Sequence, residues 1–278
     1  MSGRRRPEAP DPLPIAVADN HTHLDLGWED EEPAEIGEVL AAAAAVGVDR
    51  VVQIGCDLPS ARRTVELVDR YAAVLGGVAL HPNEAPRLAA AGGLEAAYEE
   101  IEALAAHPRV RVVGETGLDF YRTGPEGRPV QEESFRWHID LAKRLDRTLQ
   151  IHDRDAHDDV LRVLDDEGAP ERVVMHCFSG DGEFARACVE RGYHLSFAGN
   201  ITFKNAHALR DALAVTPIDR VLVETDAPYL TPHPWRGAPN SPALVPLTVR
   251  AMAAVLGVAV PVLCEAIGST TARLYGSW

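Results

Sequence analysis

The chain has 278 residues, 46% of them hydrophobic and 25% charged, with a formal net charge of −15. This is the composition of an ordinary globular protein, long enough for one α/β barrel of roughly 250 residues. The acidic balance excludes broad electrostatic capture of nucleic acid, although local cations can still reverse the field within one site.

The first 14 residues, "MSGRRRPEAPDPLP", carry three arginines with no apolar stretch behind them. They read as a disordered, Pro-rich tail rather than an export signal, which leaves one domain over 15–278. Short apolar runs then alternate with amphipathic helical patterns. The runs are "IAVAD" (15–19), "RVVQIG" (50–55), "VLGGVAL" (74–80), "VRVVGE" (110–115), "TLQIH" (148–152), "RVVMH" (172–176), "YHLSFA" (193–198) and "RVLVETD" (220–226). They are nearly continuous in hydrophobicity, as strands buried on both faces are. Helices are expected over 34–47, 57–72, 93–107, 129–146, 154–168, 181–192 and 204–216. Another is expected from about Ser241, and a last one over "TARLY" (271–275). Strand–helix alternation without an internal repeat predicts a single (β/α)8 TIM barrel, with a doubly wound open sheet as the other arrangement considered.

Four cysteines are scattered with no C-x-x-C pair. This disfavours a disulfide framework or a cysteine zinc site and fits a reducing, cytoplasmic setting. No apolar run is long enough to span a membrane, and no obligate protein partner is implied.

Barrel sites form where strands end. The predicted strands end in His21 and His23, in His81, in Glu115, in His152, in His176, and in Glu224 and Asp226. These are metal-ligand residue types gathered from five or six strands. Residues two apart on a strand share a face, so His21 and His23 can bind one ion, and Glu224 and Asp226 share a face likewise. Asp25, two further on, is expected to hydrogen-bond a ligand histidine. His81 stands equally between a site role and a structural one. His107, His138, His157 and His194 lie on helices, before a proline or inside a strand, and are read as structural. The set exceeds one three-ligand zinc site. Two ions roughly 3.5–4 Å apart, bridged by Glu115, are the natural arrangement.

Taken together, "DNHTHLD", "HPNEA", "GETGLDFYR", "IHDRDAHDD", "HCFSG", "ITFKNA", "ETDAPYLTPHPWRG" and "NSPALV" resemble the TatD family of metal-dependent deoxyribonucleases, among the amidohydrolase-like barrels. The resemblance runs from about residue 17 to 250. It implies cleavage of DNA phosphodiesters, commonly as a Mg²⁺-dependent 3′-to-5′ exonuclease on single strands or 3′ ends. It implies His21, His23, Glu115 and Asp226 around one ion, and Glu115, His152 and His176 around a second. Glu224 matches a further acidic position of the family. Asn83 stands where the family usually has a histidine, which puts that position's role in doubt.

On this reading Asp226 is both ligand and general base, with Glu224 as a second catalytic carboxylate. Arg154, Ser179, Lys204 and Arg236 are candidates for phosphate or sugar contacts. Mg²⁺ suits the chemistry, whereas four histidines also suit Zn²⁺ or Mn²⁺. Competing readings are an esterase acting on D-aminoacyl-tRNA, a barrel hydrolase of amides, lactones or phosphotriesters, and a non-catalytic metal-binding protein.

Overall fold

A computed structural model describes residues 7–29 and 32–278. Eight parallel strands lie in sequence order: β1 (Val17–Thr22), β2 (Val48–Gly55), β3 (Val74–Val78), β4 (Val110–Asp119), β5 (Thr148–Arg154), β6 (Val173–Met175), β7 (His194–Phe197) and β8 (Val221–Val223). β1 and β8 meet at the seam. There, Asp226 N–H donates to His21 O at 3.0 Å and His23 N–H to Ala227 O at 2.9 Å. The buried Asp19 carboxylate also accepts from Thr225 N–H at 2.9 Å. The result is a nearly closed (β/α)8 barrel.

Around it run α1 (Ile36–Ala45), α2 (Leu58–Arg70), α3 (Glu84–Ala90), α4 (Leu94–Ala105), α5 (Arg128–Leu145), α6 (His157–Glu167), α7 (Gly182–Glu190), α8 (His207–Val215), α9 (Val245–Leu256) and α10 (Val260–Tyr275). Two helices depart from the sequence reading. α3 was not expected: it has only seven residues, with Pro86 in its first turn, too short to show a period. α10 begins eleven residues before the expected 271. Its Leu263, Cys264, Ile267, Thr271 and Leu274 are buried at three- and four-residue spacing, but Gly268 and paired threonines weaken its local propensity.

The tail expected through residue 14 also ends sooner among the described residues. Leu13 is buried, its N–H donates to Val46 O at 3.0 Å, and Arg250 donates to Asp11 O. Residues 1–6 of that tail lie outside the described residues. Among those described, no single helix is long and apolar enough to cross a membrane.

Two layers of core hold the barrel. The main one packs outward-facing strand residues against the helices. The inner one joins Val52, Ile54, Leu75, Val112, Val174 and Leu222 to Leu274 and Tyr275 of α10. The Tyr275 hydroxyl donates to Asn20 Oδ1 at 2.7 Å and accepts from Gln150 Nε2 at 2.9 Å. The interior is therefore apolar at its floor and becomes polar toward the strand C-terminal ends.

His138 is a structural histidine on α5, as read from the sequence. Its Nδ1–H donates to Ser134 O at 2.7 Å, and Nε2 accepts from Leu80 N–H at 3.1 Å. Burial pushes its pKa down to about 4, because a proton on Nε2 would face an N–H donor. A lowered histidine pKa gives stability that is present above the unfolded value of 6.5 and lost as pH falls toward 4. His138→Gln should therefore remove about 3 kcal/mol of pH-dependent stability across that window, read as a flatter plot of urea midpoint against pH.

Candidate metal centre

Six side chains from five strand ends converge at the C-terminal mouth of the barrel. Glu115 lies at their centre. The β4–β5 register shifts between Val113 and Thr116, and this irregularity places Glu115 over the barrel axis. Gly114 permits it: a Cβ there would lie 2.7 Å from Gln150 Cβ.

The two oxygens of Glu115 face different partners. Oε1 lies 3.9 Å from His21 Nε2 and 3.9 Å from His23 Nε2. Asp226 Oδ1 closes that cluster at 3.8 Å from His21 Nε2 and 3.4 Å from His23 Nε2. Oε2 lies 2.7 Å from His176 Nε2 and 3.2 Å from His152 Nδ1.

Three of the four histidines have their other nitrogen hydrogen-bonded, and in the fourth, His152, it lies beside a carboxylate. His21 Nδ1–H donates to Gln150 Oε1 at 2.8 Å, and His23 Nδ1–H donates to Ile54 O at 3.0 Å. His176 Nδ1 lies 3.1 Å from Glu224 Oε1, and His152 Nε2 lies 3.4 Å from Asp119 Oδ2. An acceptor on one ring nitrogen fixes the tautomer and leaves a lone pair on the other. The inner nitrogens of all four rings thus lie 2.7 to 3.9 Å from the oxygens of one carboxylate. The buried His21 Nε2 has no hydrogen-bond partner in the protein. This donor set fits divalent cations: imidazole and carboxylate ligands, outer partners already in place, and an orphaned lone pair aimed inward.

Burial opposes a charge on His176, but Glu115 and Glu224 outweigh it and hold its pKa well above the usual value. Burial and the neighbouring His176 push His21 well below; the two rings stack at 3.9 Å. Burial alone would raise the pKa of Glu115, yet His176 and His152 hold it well below the carboxylate range.

The remaining sequence candidates divide. Glu224 is fully buried, with Oε1 3.1 Å from His176 Nδ1, and it forms a candidate cation-binding group with His21 and His176. β8 ends at Val223, and Asp226 takes a left-handed conformation (φ 52°). Strand alternation is therefore not what aims Asp226; the tight turn and the seam to β1 do so. Asp25 does not support the histidines as expected. It accepts from Gln53 Nε2 at 2.7 Å, because Gln150 and the Ile54 carbonyl already occupy both Nδ1 positions. His81 packs edge-on against His152 with 4.5 Å between centroids. Arg154 lies over the Tyr121 ring at 3.9 Å, and Arg236 over Phe203 at 4.6 Å. Ser179 donates to Asp153 O at 3.0 Å, and Lys204 is exposed beyond β7.

Sequence reasoning missed Asp119, Gln150 and Cys56. Asp119 had a signal: β4 continues past Glu115, and i+4 lies on the same face. Asn83 explains its own departure from the family pattern here, donating to Asp119 Oδ2 at 3.0 Å while Thr123 donates to its Oδ1.

Fold and centre together are those of a barrel-type metal-dependent hydrolase. The family model described as TatD related DNase matches residues 18–276, and the chain belongs to that family. It is 46% identical over 265 residues to an uncharacterized metal-dependent hydrolase TatD of Mycobacterium tuberculosis, covering 94% of this chain and 98% of that one. It is 32% identical over 246 residues to a Citrobacter rodentium protein named 3′-5′ ssDNA/RNA exonuclease TatD, covering 86% and 91%. Among solved structures, the TatD homologue YJJV of Escherichia coli superposes with a TM-score of 0.83 at 26% identity, covering 93% and 97%.

Gln150→Leu keeps the volume of the side chain but removes the acceptor for His21. Divalent-ion affinity should fall by about 10–100-fold, measured by calorimetric titration. The partners left in the barrel should cost about 1–3 kcal/mol of stability.

Proposed function

We propose that the protein hydrolyses phosphodiester bonds in single-stranded DNA or RNA, using two divalent cations bridged by Glu115. One observation carries this reading: the two oxygens of Glu115 divide between a His21–His23–Asp226 cluster and a His152–His176 cluster. Two-cation sites of this kind suit in-line displacement at phosphorus. The relative named as an exonuclease on single strands supports the substrate class. Mg²⁺ is the proposed activity metal. Four free thiols support a reducing, cytoplasmic setting.

Bound divalent ions would acidify water and neutralise phosphate charge. Asp226 is the carboxylate that meets incoming water. Its side chain is 16% exposed, against 7% for Glu115 and 0% for Glu224. Asp226 accepts the water proton, and Glu224 holds His176 in line for the second cation.

The rim suits unpaired bases. Leu26, Tyr121 and Tyr229 are large exposed apolar side chains, and they sit on the loops after β1, β4 and β8. Trp28 leans toward Tyr229 with 6.3 Å between centroids, beside a cavity of about 400 Å³ that borders His23. Arg154 backs Tyr121 with positive charge. Flat faces and local cations of this kind hold single strands despite a net charge of −15.

His152→Ala should abolish Mg²⁺-stimulated cleavage of end-labelled single-stranded DNA while circular dichroism stays native. Wild-type-like activity would sink the assignment. Tyr121→Ala should weaken single-strand binding by about 1–3 kcal/mol, read by fluorescence anisotropy, with duplex binding much less affected.

A further inference from the structure

We propose that Cys56 is a ligand of the first cation cluster when a thiophilic metal occupies it. The proposal rests on the metal-dependent reading of the site. Cys56 is the first residue beyond β2, and its Sγ lies 3.1 Å from Glu115 Oε1. That oxygen is the one facing His21 and His23. His23, Cys56 and Glu115 each offer a possible ligand atom within 4.8 Å of the others. The fully buried His21 Nε2, without a hydrogen-bond partner, lies 3.9 Å from the same Glu115 oxygen.

β2 therefore contributes twice to this cluster. The Ile54 carbonyl fixes the tautomer of His23, and two residues on, Cys56 adds a soft donor. Imidazole nitrogens already favour Zn²⁺ over Mg²⁺. A thiolate widens that preference, since Zn²⁺ and Co²⁺ accept sulfur and Mg²⁺ does not. With Zn²⁺ or Co²⁺, the S–H bond breaks, the proton leaves to solvent and a metal–sulfur bond forms. With Mg²⁺, the thiol stays protonated and keeps donating to Glu115. One cluster thus presents two donor sets, chosen by the metal.

The test is titration of the purified full chain with Co²⁺, followed by absorbance. The wild-type chain should develop a thiolate-to-cobalt charge-transfer band in the near ultraviolet. Cys56→Ser should lose the band and Cys177→Ser should keep it. Serine preserves the hydrogen bond to Glu115, so the effect reads the sulfur itself. Zn²⁺ affinity of Cys56→Ser should fall by about tenfold or more, with Mg²⁺ affinity much less affected. A wild-type chain without the band, or a band that persists in Cys56→Ser, overturns the proposal. Mg²⁺-dependent DNA cleavage by the wild-type chain reports on the hydrolytic reading separately. Intact cleavage without the band would remove only the Cys56 assignment.

Discussion

A carboxylate buried on the axis of a barrel is costly unless positive charge or hydrogen-bond donors meet both of its oxygens. Glu115 is that group, and much of the mouth is organised around it. Four imidazoles and a thiol surround it. Their outer nitrogens lie beside Gln150, Ile54, Glu224 and Asp119, which come from β5, β2, the end of β8 and β4. No single loop holds the centre, so its geometry is as rigid as the sheet that carries it.

That rigidity continues downward. Tyr275 of the last helix forms the polar top of the barrel floor, Asn20 and Gln150 join above it, and His21 stands on Gln150. A continuous hydrogen-bonded column thus links α10 to the cation cluster. Buried polar columns are stable only when every member is satisfied. The same requirement explains the buried Asp19 at the seam, whose pKa burial raises to about 7 despite hydrogen bonds from Thr225. The column converts barrel packing into ligand placement: a shift at the floor displaces a metal ligand.

The rim obeys different rules. Tyr121 and Tyr229 are exposed on loops, and the half-buried Trp28 contacts Tyr229 loosely. The candidate ligands sit on the strand ends, while the rim belongs to the segments just past them, where sequence can vary without disturbing the core.

Much of this was legible in the chain itself. Eight apolar runs, spaced by helical patterns, predicted the barrel because strands buried on both faces must be apolar throughout. His21, His23, Glu115, His152, His176 and Asp226 stood out because polar, ligand-type residues at the ends of such runs are otherwise unfavourable. Motif resemblance then narrowed the chemistry. The short α3 escaped because seven residues show no period, and the early start of α10 because its glycine and threonines mask the apolar spacing.

The partners of each ligand were decided only in three dimensions. Gln150 lies 129 positions from His21, and Glu224 lies 48 from His176; each pair meets across the barrel rather than along the chain. Asp25 shows the same limit in reverse: near the histidines in sequence, it bonds Gln53 instead. The sequence by itself determined the fold class and which residues were candidates for the chemistry, because apolar runs and the residue types at their ends are read locally. Tertiary structure decided which nitrogen each histidine presents and which oxygen of Glu115 it faces, because strand register and barrel closure set those directions.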